Sequence, residues 1–503
     1  MPYAIECKKI TKIFGNTVIA NDEIELNLAY GEILALLGEN GSGKTTLMNM
    51  LSGIYHPDKG EIFVDGKQVS INSPADAKAL GIGMIHQHFK LVESFTAGDN
   101  ILLGQDKKVK KSVFEAEIKK MCDEIGLSID PNKRVSDMSV SEKQTTEILK
   151  VLYSGAKILI LDEPTAVLTP QEIEKLFDIL RKMKEQGCAI IIITHKLQEV
   201  LSISDRVTLL RKGKSVGTVI TKETTPQQLT ELIVGHAVEL KIERPAVESS
   251  ETMLKIVDLT VKKSDGGLAI NDISFELNRG EILGVAGIAG SGQKELCECI
   301  AGLLPASHGA ILYKKENILG KEPLEISQRG ISMSFVPEDR LGMGLVPSMD
   351  LVDNVMLKSY RSSEGIFVDK KPSTELAEKM VEELSIVTPN ILTPVRRLSG
   401  GNVQKVLLGR EIASEPNVLI TAYPVRGLDI NSSYMIYSLL NEQKKKGVAV
   451  MFIGEDLDVL CALCDRVMVL CHGEITGIVD PRQVKKEQIG LMMTGMKYEE
   501  AVK

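Results

Sequence analysis

One set of sequence motifs occurs twice along this 503-residue chain, and the repeat limits the possible fold more than any other feature. Gly38 of the first set lies 249 positions before its counterpart Gly287, and the later motifs repeat at intervals of 251 to 260 residues. Near-constant spacing over half the chain indicates a duplicated domain. A single hydrophobic core rarely extends past roughly 250–300 residues, so the length also favours two domains.

The sequence predicts a first domain over residues 1–240, a linker over 241–252 and a second domain over 253–503. The linker is placed where the chain is polar and contains a proline (ERPAVESSE). In each half, short apolar runs predict buried parallel strands, and helical patterns follow them as crossover connections require. Residues 89–151 show helical patterns without a strong strand, which predicts a helical subdomain inserted into the first domain.

Composition excludes several classes of protein. The net charge of −8 argues against broad nucleic-acid binding, which requires a basic surface. No apolar run approaches the roughly 18 residues of a membrane span, and the start lacks the form of an export signal, so the sequence predicts a cytosolic chain. The eight cysteines lack disulfide-framework spacing. Cys461, Cys464 and Cys471 could suggest a metal site, but no second ligand pair lies at zinc-finger spacing, so buried thiols are preferred.

A glycine-rich loop in the first copy lies between a predicted strand and a predicted helix, which is the context that a phosphate-binding P-loop requires. Glycines in such a loop let backbone N–H groups converge on phosphates, and the helix N-terminus adds partial positive charge. Lys44 is predicted to reach the β- and γ-phosphates of ATP, and the Thr45 hydroxyl to bind Mg²⁺. The predicted nucleotide-binding residues of this loop are Gly38, Glu39, Asn40, Gly41, Ser42, Gly43, Lys44, Thr45 and Thr46.

Further polar residues at the ends of apolar segments fit the same site. Asp162 and Glu163 close a strand; seen alone they could cap a turn, but with a P-loop upstream Asp162 is predicted to bind Mg²⁺ and Glu163 to act as the base that orients water. His195 closes another strand and is predicted to sense the γ-phosphate, the alternative being a core histidine. Gln87 is predicted to contact Mg²⁺ and the attacking water. Phe14 is a candidate ring for stacking on adenine, or else a core residue.

The two copies have kept different parts of the motif set. Where the first copy has Lys44, Thr45, Asp162, Glu163 and His195, the second has, in the same order, Gln293, Lys294, Ala422, Tyr423 and Glu455. The second copy instead contains an intact Leu398-Ser399-Gly400-Gly401-Asn402 sequence, where the first has Met138-Ser139-Val140-Ser141-Glu142. This complementary pattern predicts one working ATP site, assembled from two halves.

Along the chain the motifs come in the order P-loop, glutamine loop (at Gln87), signature (138–142 and 398–402), Asp-Glu strand (162–163) and histidine loop (at His195). This order resembles the ATPase domains of ABC transporters. The resemblance implies an α/β fold of tandem P-loop ATPase domains, each with a mainly parallel sheet, a small antiparallel β region and an inserted helical subdomain. In that family two domains bind ATP head to tail between them. It therefore implies that Ser399, Gly400 and Gly401, with Asp429 of the aspartate loop, act on the ATP held by the first P-loop. The second P-loop could still bind nucleotide but should not hydrolyse it appreciably.

Several segments are similar to bacterial importers of simple sugars and nucleosides, and the segment MIHQHFKLV at 84–92 most resembles the nucleoside importers. Tyr423 and Lys294 depart from that group, which usually has glutamine and serine or threonine there. The resemblance implies a peripheral ATPase on the cytoplasmic face of the membrane. Its expected partners are two transmembrane permease subunits, identical or different, and indirectly an extracytoplasmic solute-binding lipoprotein. Phe89, Leu91, Val92 and Phe95 are candidates for the permease-facing groove, or for ordinary subdomain core.

Three alternatives follow from the same motifs. A ribose-, galactose- or xylose-type sugar importer shares the tandem arrangement and remains open. A tandem ATPase acting on ribosomes usually has two intact sites and a long charged linker, which this chain lacks, and its acidic balance disfavours an RNA partner. A DNA-repair ATPase of similar domain type would need large insertions and zinc-binding cysteines.

Overall fold

The computed structural model describes residues 2–15, 18–39, 41–86, 89–104, 109–165, 168–194, 196–235, 242–247, 251–263, 266–288, 290–328, 333–337, 339–360 and 369–501. The chain divides into two compact units, Met1–Glu239 and Leu240–Lys503. Each unit contains a four-stranded antiparallel sheet and a six-stranded, mainly parallel sheet, with the same strand order in both. The predicted α/β fold class is confirmed.

The first unit begins with the antiparallel sheet, in the order β2-β1-β4-β5, and its second sheet has the order β10-β9-β3-β8-β7-β6. Only the edge strand β10 runs antiparallel in the second sheet. The elements are β1 (Ile5–Phe14), β2 (Val18–Leu28), β3 (Ile33–Gly38), α1 (Lys44–Leu51), β4 (Lys59–Val64), β5 (Lys67–Val69), α2 (Pro74–Ala79), β6 (Ile82–Ile85), α3 (Ala97–Leu102), α4 (Lys111–Ile125), α5 (Val140–Tyr153), β7 (Ile158–Asp162), α6 (Pro170–Glu185), β8 (Ala189–Ile193), α7 (Leu197–Ile203), β9 (Arg206–Arg211), β10 (Lys214–Ile220) and α8 (Pro226–Val234).

The second unit repeats this plan, with sheet orders β12-β11-β14-β15 and β16-β17-β18-β13-β19-β20. Its elements are β11 (Thr252–Lys262), β12 (Leu268–Asn278), β13 (Ile282–Ala286), α9 (Gln293–Ile300), β14 (His308–Tyr313), β15 (Glu316–Asn317), α10 (Pro323–Gln328), β16 (Met333–Val336), α11 (Leu351–Ser359), α12 (Lys371–Glu383), α13 (Gly400–Ala413), β17 (Val418–Ala422), α14 (Ile430–Lys445), β18 (Ala449–Ile453), α15 (Leu457–Leu463), β19 (Arg466–Cys471), β20 (Glu474–Val479), α16 (Lys486–Met493) and α17 (Tyr498–Ala501).

The central strands of the first unit explain where its polar residues meet. Strand β8 is an alanine followed by four isoleucines, all buried, as expected for a parallel strand covered on both faces. It pairs with β3 on one side and β7 on the other, so that Leu36, Ile193 and Asp162 share one row across the sheet. The carboxyl ends of β3, β7 and β8 therefore lie at one edge, where open α/β sheets bind their ligands.

The inserted region between β6 and β7 is helical, and its described residues form no strand, only a single bridge between Thr96 and Arg134. The buried Asn100 side chain fixes the loop before α3, because it accepts a hydrogen bond from the Val92 N–H at 2.7 Å and donates to the Val92 carbonyl at 3.0 Å. Val92 and Phe95 are 37% and 40% exposed, whereas Leu91 packs on the small subdomain core. Two of the four apolar candidates are therefore accessible at the surface.

Part of the predicted linker lies against the second unit. Arg244 donates a hydrogen bond of 2.8 Å from Nη1 to the Cys464 carbonyl, and the buried Lys444 ammonium donates to the Pro245 carbonyl. The predicted linker also ends inside regular structure, because Thr252 is the first residue of β11. Residues 242–247 are thus held by hydrogen bonds to the last part of the chain, which no local pattern could indicate.

The cysteines are free thiols, and burial raises the pKa of Cys461, Cys464 and Cys471. Over the ranges that the structure describes, no group of three or more His, Cys, Asp or Glu side chains is arranged to hold a metal ion. Within the same ranges, none of the helices combines the length and apolar character needed to span a membrane.

Candidate nucleotide-binding site

The loop between β3 and α1 has a backbone that favours glycine at two positions. Gly41 and Gly43 have φ angles of 78° and 95°, in the left-handed region, and Gly43 is the N-cap of α1. A Cβ atom on Gly43 would lie 2.4 Å from the Ala20 carbonyl oxygen and 2.5 Å from Asn21 Nδ2. Asn21 also donates from Nδ2 to the Gly43 carbonyl at 3.1 Å. Strand β2 thus sets the position of the loop, and the first turn of α1 begins without an obstructing side chain.

Lys44 folds back over this loop. Its ammonium donates to the carbonyl oxygens of Gly38 at 2.6 Å and Glu39 at 3.0 Å. Burial lowers the pKa of Lys44, while the carboxylates of Glu163, Asp162 and Glu39 act in the opposite direction. A half-buried cation held by neutral carbonyl groups can exchange them for phosphate oxygens, which bind it more strongly because they are charged.

The polar groups and the free space of the loop fit a phosphate group. The Ser42 hydroxyl is buried, and among the described residues it has no hydrogen-bond partner. Such an isolated donor is unusual in a folded interior and calls for an acceptor. The Gly43 position would be filled by any Cβ, and the neighbouring Thr45 side chain is exposed at the start of α1. These features suit a polyphosphate with an accompanying metal ion, for which the Thr45 hydroxyl and the Asp162 carboxylate are available ligands.

The acidic pair lies at the end of strand β7, where Asp162 is the last strand residue and Glu163 the next. Glu163 has a φ of 49°, a conformation that costs a residue other than glycine on the order of 1 kcal/mol. Its N–H donates to the Ile193 carbonyl at 2.8 Å, which fixes the turn. Burial raises the pKa of Asp162, the adjacent Glu163 carboxylate raises it further, and Lys44 opposes both. The turn therefore holds two carboxylates close together at the edge of the sheet, where they repel each other.

Replacing Asp162 by asparagine is expected to raise the melting temperature of the nucleotide-free protein. The raised pKa of Asp162 means that the folded state disfavours its ionised form, so at neutral pH the charge destabilises the fold, and the destabilisation disappears as the pH falls through that pKa. Differential scanning calorimetry at a series of pH values from 7.5 downward measures the effect, which should shrink as the pH falls through the raised pKa. A lower melting temperature for Asp162→Asn at pH 7.5 would contradict this account.

Phe14 is half-buried at the end of β1, and its ring packs edge-on against Tyr55 with centroids 5.3 Å apart. Lys12 Nζ lies 5.6 Å from the Phe14 centroid. Phe14 is thus partly open to solvent at the β1–β2 hairpin, whose second strand supplies Asn21 to the loop. Tyr55 and Asn21 were missed by the sequence reasoning; a polar residue at a buried strand position was the only available signal for Asn21.

Three predicted residues, Asn40, Gln87 and His195, lie outside the described residues. The elements around two of them are described. Strand β6 ends at Ile85 beside β7, and β8 is followed by the buried Thr194, whose hydroxyl accepts a hydrogen bond from the Lys196 N–H at 3.1 Å. The roles of Gln87 and His195 therefore stay predictions.

The second unit has the same loop backbone with different side chains. Gly290 and Gly292 have φ angles of 85° and 103°, close to those of the first loop. At the lysine position, the buried Gln293 side chain donates from Nε2 to the Ile288 carbonyl at 3.1 Å. The exposed Lys294 extends along its own helix. The loop shape is preserved, whereas Gln293 replaces the ammonium of Lys44 and Lys294 replaces the hydroxyl of Thr45.

The signature sequence of the second unit forms the start of α13. Ser399 is the N-cap, and its hydroxyl accepts hydrogen bonds from the Asn402 N–H at 3.4 Å and from Asn402 Nδ2 at 2.9 Å. Ser399 and Gly400 are exposed. Because Gly400 and Gly401 have no side chains, their own N–H groups at the start of α13 are accessible to an anion.

The corresponding helix of the first unit, α5, is closed to an anion. Ser139 is its N-cap and forms a capping box with Glu142. Lys133 donates to the Glu142 carboxylate at 2.7 Å, and this hydrogen bond lowers the pKa of Glu142. A negative charge therefore remains at a helix N-terminus where the second unit has the neutral Asn402, and Val140 occupies the position of a glycine.

Asp429 caps helix α14. Its two carboxylate oxygens accept hydrogen bonds from the N–H and the hydroxyl of Ser432, each at 2.8 Å. A Cβ atom on Gly401 would lie 3.4 Å from Ser432 Oγ and 3.7 Å from Asp429 Oδ2. The signature turn and the aspartate loop are therefore neighbours within the second unit.

A glycine loop that exposes a helix N-terminus, a half-buried lysine over it and an acidic pair at the same sheet edge define the class of the first unit as a P-loop ATPase. The second unit repeats the fold and the loop backbone. The model of a family described as ABC transporter matches residues 21–166 and 270–424. The chain belongs to the ABC transporter family, as the motifs predicted, and is an ATP-binding ATPase of that family.

The chain is similar over its full length to curated proteins of known name. It is 42% identical to the nucleoside import ATP-binding protein NupA of Lactococcus lactis subsp. cremoris, covering 98% of each chain. It is also 42% identical to the guanosine import ATP-binding protein NupO of Bacillus subtilis, covering 100% of this chain and 99% of that protein. The ribose import ATP-binding protein RbsA 1 of Rubrobacter xylanophilus is 37% identical over 98% of each chain.

Proposed function

We propose that this chain is the ATP-hydrolysing subunit of a nucleoside importer. The observation that carries the proposal is the full-length similarity to two import subunits named for nucleosides and guanosine, at 42% identity, against 37% for the ribose subunit. It works with two transmembrane permease subunits at the cytoplasmic face of the membrane, and indirectly with an extracytoplasmic solute-binding lipoprotein. The exposed Val92 and Phe95 side chains are the surface that we assign to permease contact.

ATP hydrolysis is assigned to the P-loop of the first unit. Lys44 and the backbone N–H groups of the loop bind the β- and γ-phosphates, and Phe14 contacts adenine. Thr45, Asp162 and Gln87 hold Mg²⁺, which when bound neutralises charge on the phosphate oxygens. Glu163 orients the attacking water and accepts its proton as the bond to the γ-phosphorus forms and the bond to ADP breaks.

The second unit completes this site when ATP is bound. Ser399, Gly400 and Gly401 contact the γ-phosphate with the open N-terminus of α13, Asp429 positions the loop beside them, and His195 of the first unit contacts the same phosphate. The charged Glu142 and the buried Gln293 support the assignment, because they make the opposite pairing of P-loop and signature unfit for hydrolysis. One ATP is hydrolysed per cycle in this scheme.

Solute uptake in cells lacking this gene tests the transport assignment. Uptake of labelled guanosine and uridine should be lost and should return with the wild-type gene but not with Glu163→Gln, while ribose uptake is unchanged. Loss of ribose uptake with normal nucleoside uptake would favour the sugar alternative, which the 37% identity to RbsA 1 supports. Normal uptake of both solutes would overturn the proposal.

A further inference from the structure

Arg340 connects two loops of the second unit that are far apart in sequence. It begins a five-residue π-helix, Arg340–Gly344, after strand β16. Its Nη1 donates to the Gly400 carbonyl at 3.4 Å, and its Nη2 donates to the Arg426 carbonyl. Gly400 is in the signature turn, and Arg426 is in the loop that leads to Asp429. One guanidinium therefore holds the backbone of both segments.

The π-helix is anchored along the signature helix at its other end. The Gly344 carbonyl accepts a hydrogen bond of 2.7 Å from Nη2 of Arg410, a buried residue near the end of α13. At its start, Asp339 caps the turn by accepting from the Gly342 N–H at 2.8 Å. Helical turns of this wide type are rare and are often found at functional sites. The position of Arg340 beside Gly400 is thus fixed by contacts at both ends of its own segment.

The Arg426 side chain extends in another direction. Its Nε lies 3.2 Å from the Glu455 carboxylate, and its guanidinium lies 5.8 Å from the centre of the Tyr423 ring. Glu455 and Tyr423 occupy the positions of His195 and Glu163 in the first copy. Glu455 and Tyr423, which replace the hydrolytic groups in the second unit, therefore contact the side chain of Arg426 in the aspartate loop. Arg340 contacts the backbone carbonyl of the same residue.

The first copy has no charged residue at the two arginine positions. The repeat interval is 251 residues at the glutamine loop, so Arg340 corresponds to Phe89. The interval is 260 residues at the Asp-Glu strand, so Arg426 corresponds to Ala166. The arginine contacts thus belong to the copy whose own P-loop has Gln293 in place of lysine. They join the two segments that we assign to the ATP of the first unit.

We propose that Arg340 is a positioning residue for ATP hydrolysis, which holds the signature turn Ser399–Gly401 against the aspartate loop so that both reach the γ-phosphate together. The inference rests on the proposed function of those two segments. A guanidinium suits the task because its planar set of donors reaches two carbonyl groups in a fixed geometry, which the single ammonium of lysine does not reproduce.

Steady-state ATPase measurements on the full-length protein test the inference. Arg340→Ala is expected to lower kcat about tenfold, while KM for ATP changes less than about threefold. Arg340→Lys is expected to lower kcat by about threefold, because lysine keeps the positive charge but not the planar set of guanidinium donors. The control is Arg396→Ala, which removes an exposed arginine of the same unit and should leave kcat unchanged. The lysine variant carries the test if the alanine variant does not fold.

A double-mutant cycle separates positioning from general stability. If Arg340 acts through the signature turn, Arg340→Ala should lower kcat little further when Ser399→Ala is already present. Additive losses, or a normal kcat for Arg340→Ala together with a reduced kcat for Ser399→Ala, would overturn the inference alone. A normal kcat for Ser399→Ala would overturn the proposed shared site, and this inference with it.

Discussion

Replacing Glu163 by glutamine is expected to lower kcat for ATP hydrolysis by about 10²–10⁴-fold, the usual contribution of a positioned general base, while ATP still binds. Glutamine keeps the size of the side chain and can adopt the same turn, but it cannot accept a proton from water. Phosphate release gives kcat, and equilibrium binding of a fluorescent ATP analogue gives the affinity. The expected result is thus a variant that binds ATP but does not hydrolyse it.

The duplicated fold supplies matched controls for this experiment. Tyr423→Phe changes the corresponding turn of the second unit, and Gln293→Ala changes the position that corresponds to Lys44. Both should leave kcat within about twofold of the wild type, because neither residue offers a base or a cation to phosphate. Lys44→Ala, in contrast, should abolish turnover. A loss in Gln293→Ala comparable to that in Lys44→Ala would show that both P-loops hydrolyse ATP.

Removing the Ser399 hydroxyl is expected to lower kcat by roughly 10²-fold, the usual effect of losing one preorganised donor to a reacting oxyanion. Ser139→Ala is its matched control, because both serines are N-caps of 14-residue helices. Each substitution should cost about 1 kcal/mol of stability through the lost cap. Only the Ser399 variant should lose activity, because the Ser139 hydroxyl lies at a helix start occupied by Val140 and the charged Glu142.

Chemical unfolding monitored by circular dichroism checks that the two serine variants are equally destabilised, and phosphate release compares their turnover. Equal losses of activity in both variants would mean that the caps act only through folding. A larger loss in Ser139→Ala would reverse the proposed direction of complementation and assign the productive signature to the first unit.

The fold and much of the site could be predicted because their signals are local. Apolar runs of five or six residues predict parallel strands, and the spacing of Gly41, Gly43 and Lys44 after such a strand specifies the loop. Asp162 and Glu163 could be selected as candidate site residues because they lie at the end of an apolar strand. The strand order then brings these ends to one edge, as the duplicated motifs indicated.

Other features depend on contacts between distant parts of the chain. The support of Gly43 by Asn21 and the hydrogen bond of Arg244 to the Cys464 carbonyl each join segments that no periodicity relates. The acceptors of Arg340 are backbone carbonyls 60 and 86 residues away. Side-chain identity alone does not reveal such acceptors.

The turn at Tyr423 has the same main-chain form as its counterpart at Glu163. Its φ is 50°, against 49° for Glu163, and its N–H donates to the Ile453 carbonyl at 2.9 Å, as that of Glu163 does to Ile193 at 2.8 Å. An engineer who wished to build a second turnover centre would therefore inherit a scaffold already bent to receive a carboxylate. Side-chain grafts would be sufficient for this turn, with no redesign of the peptide path.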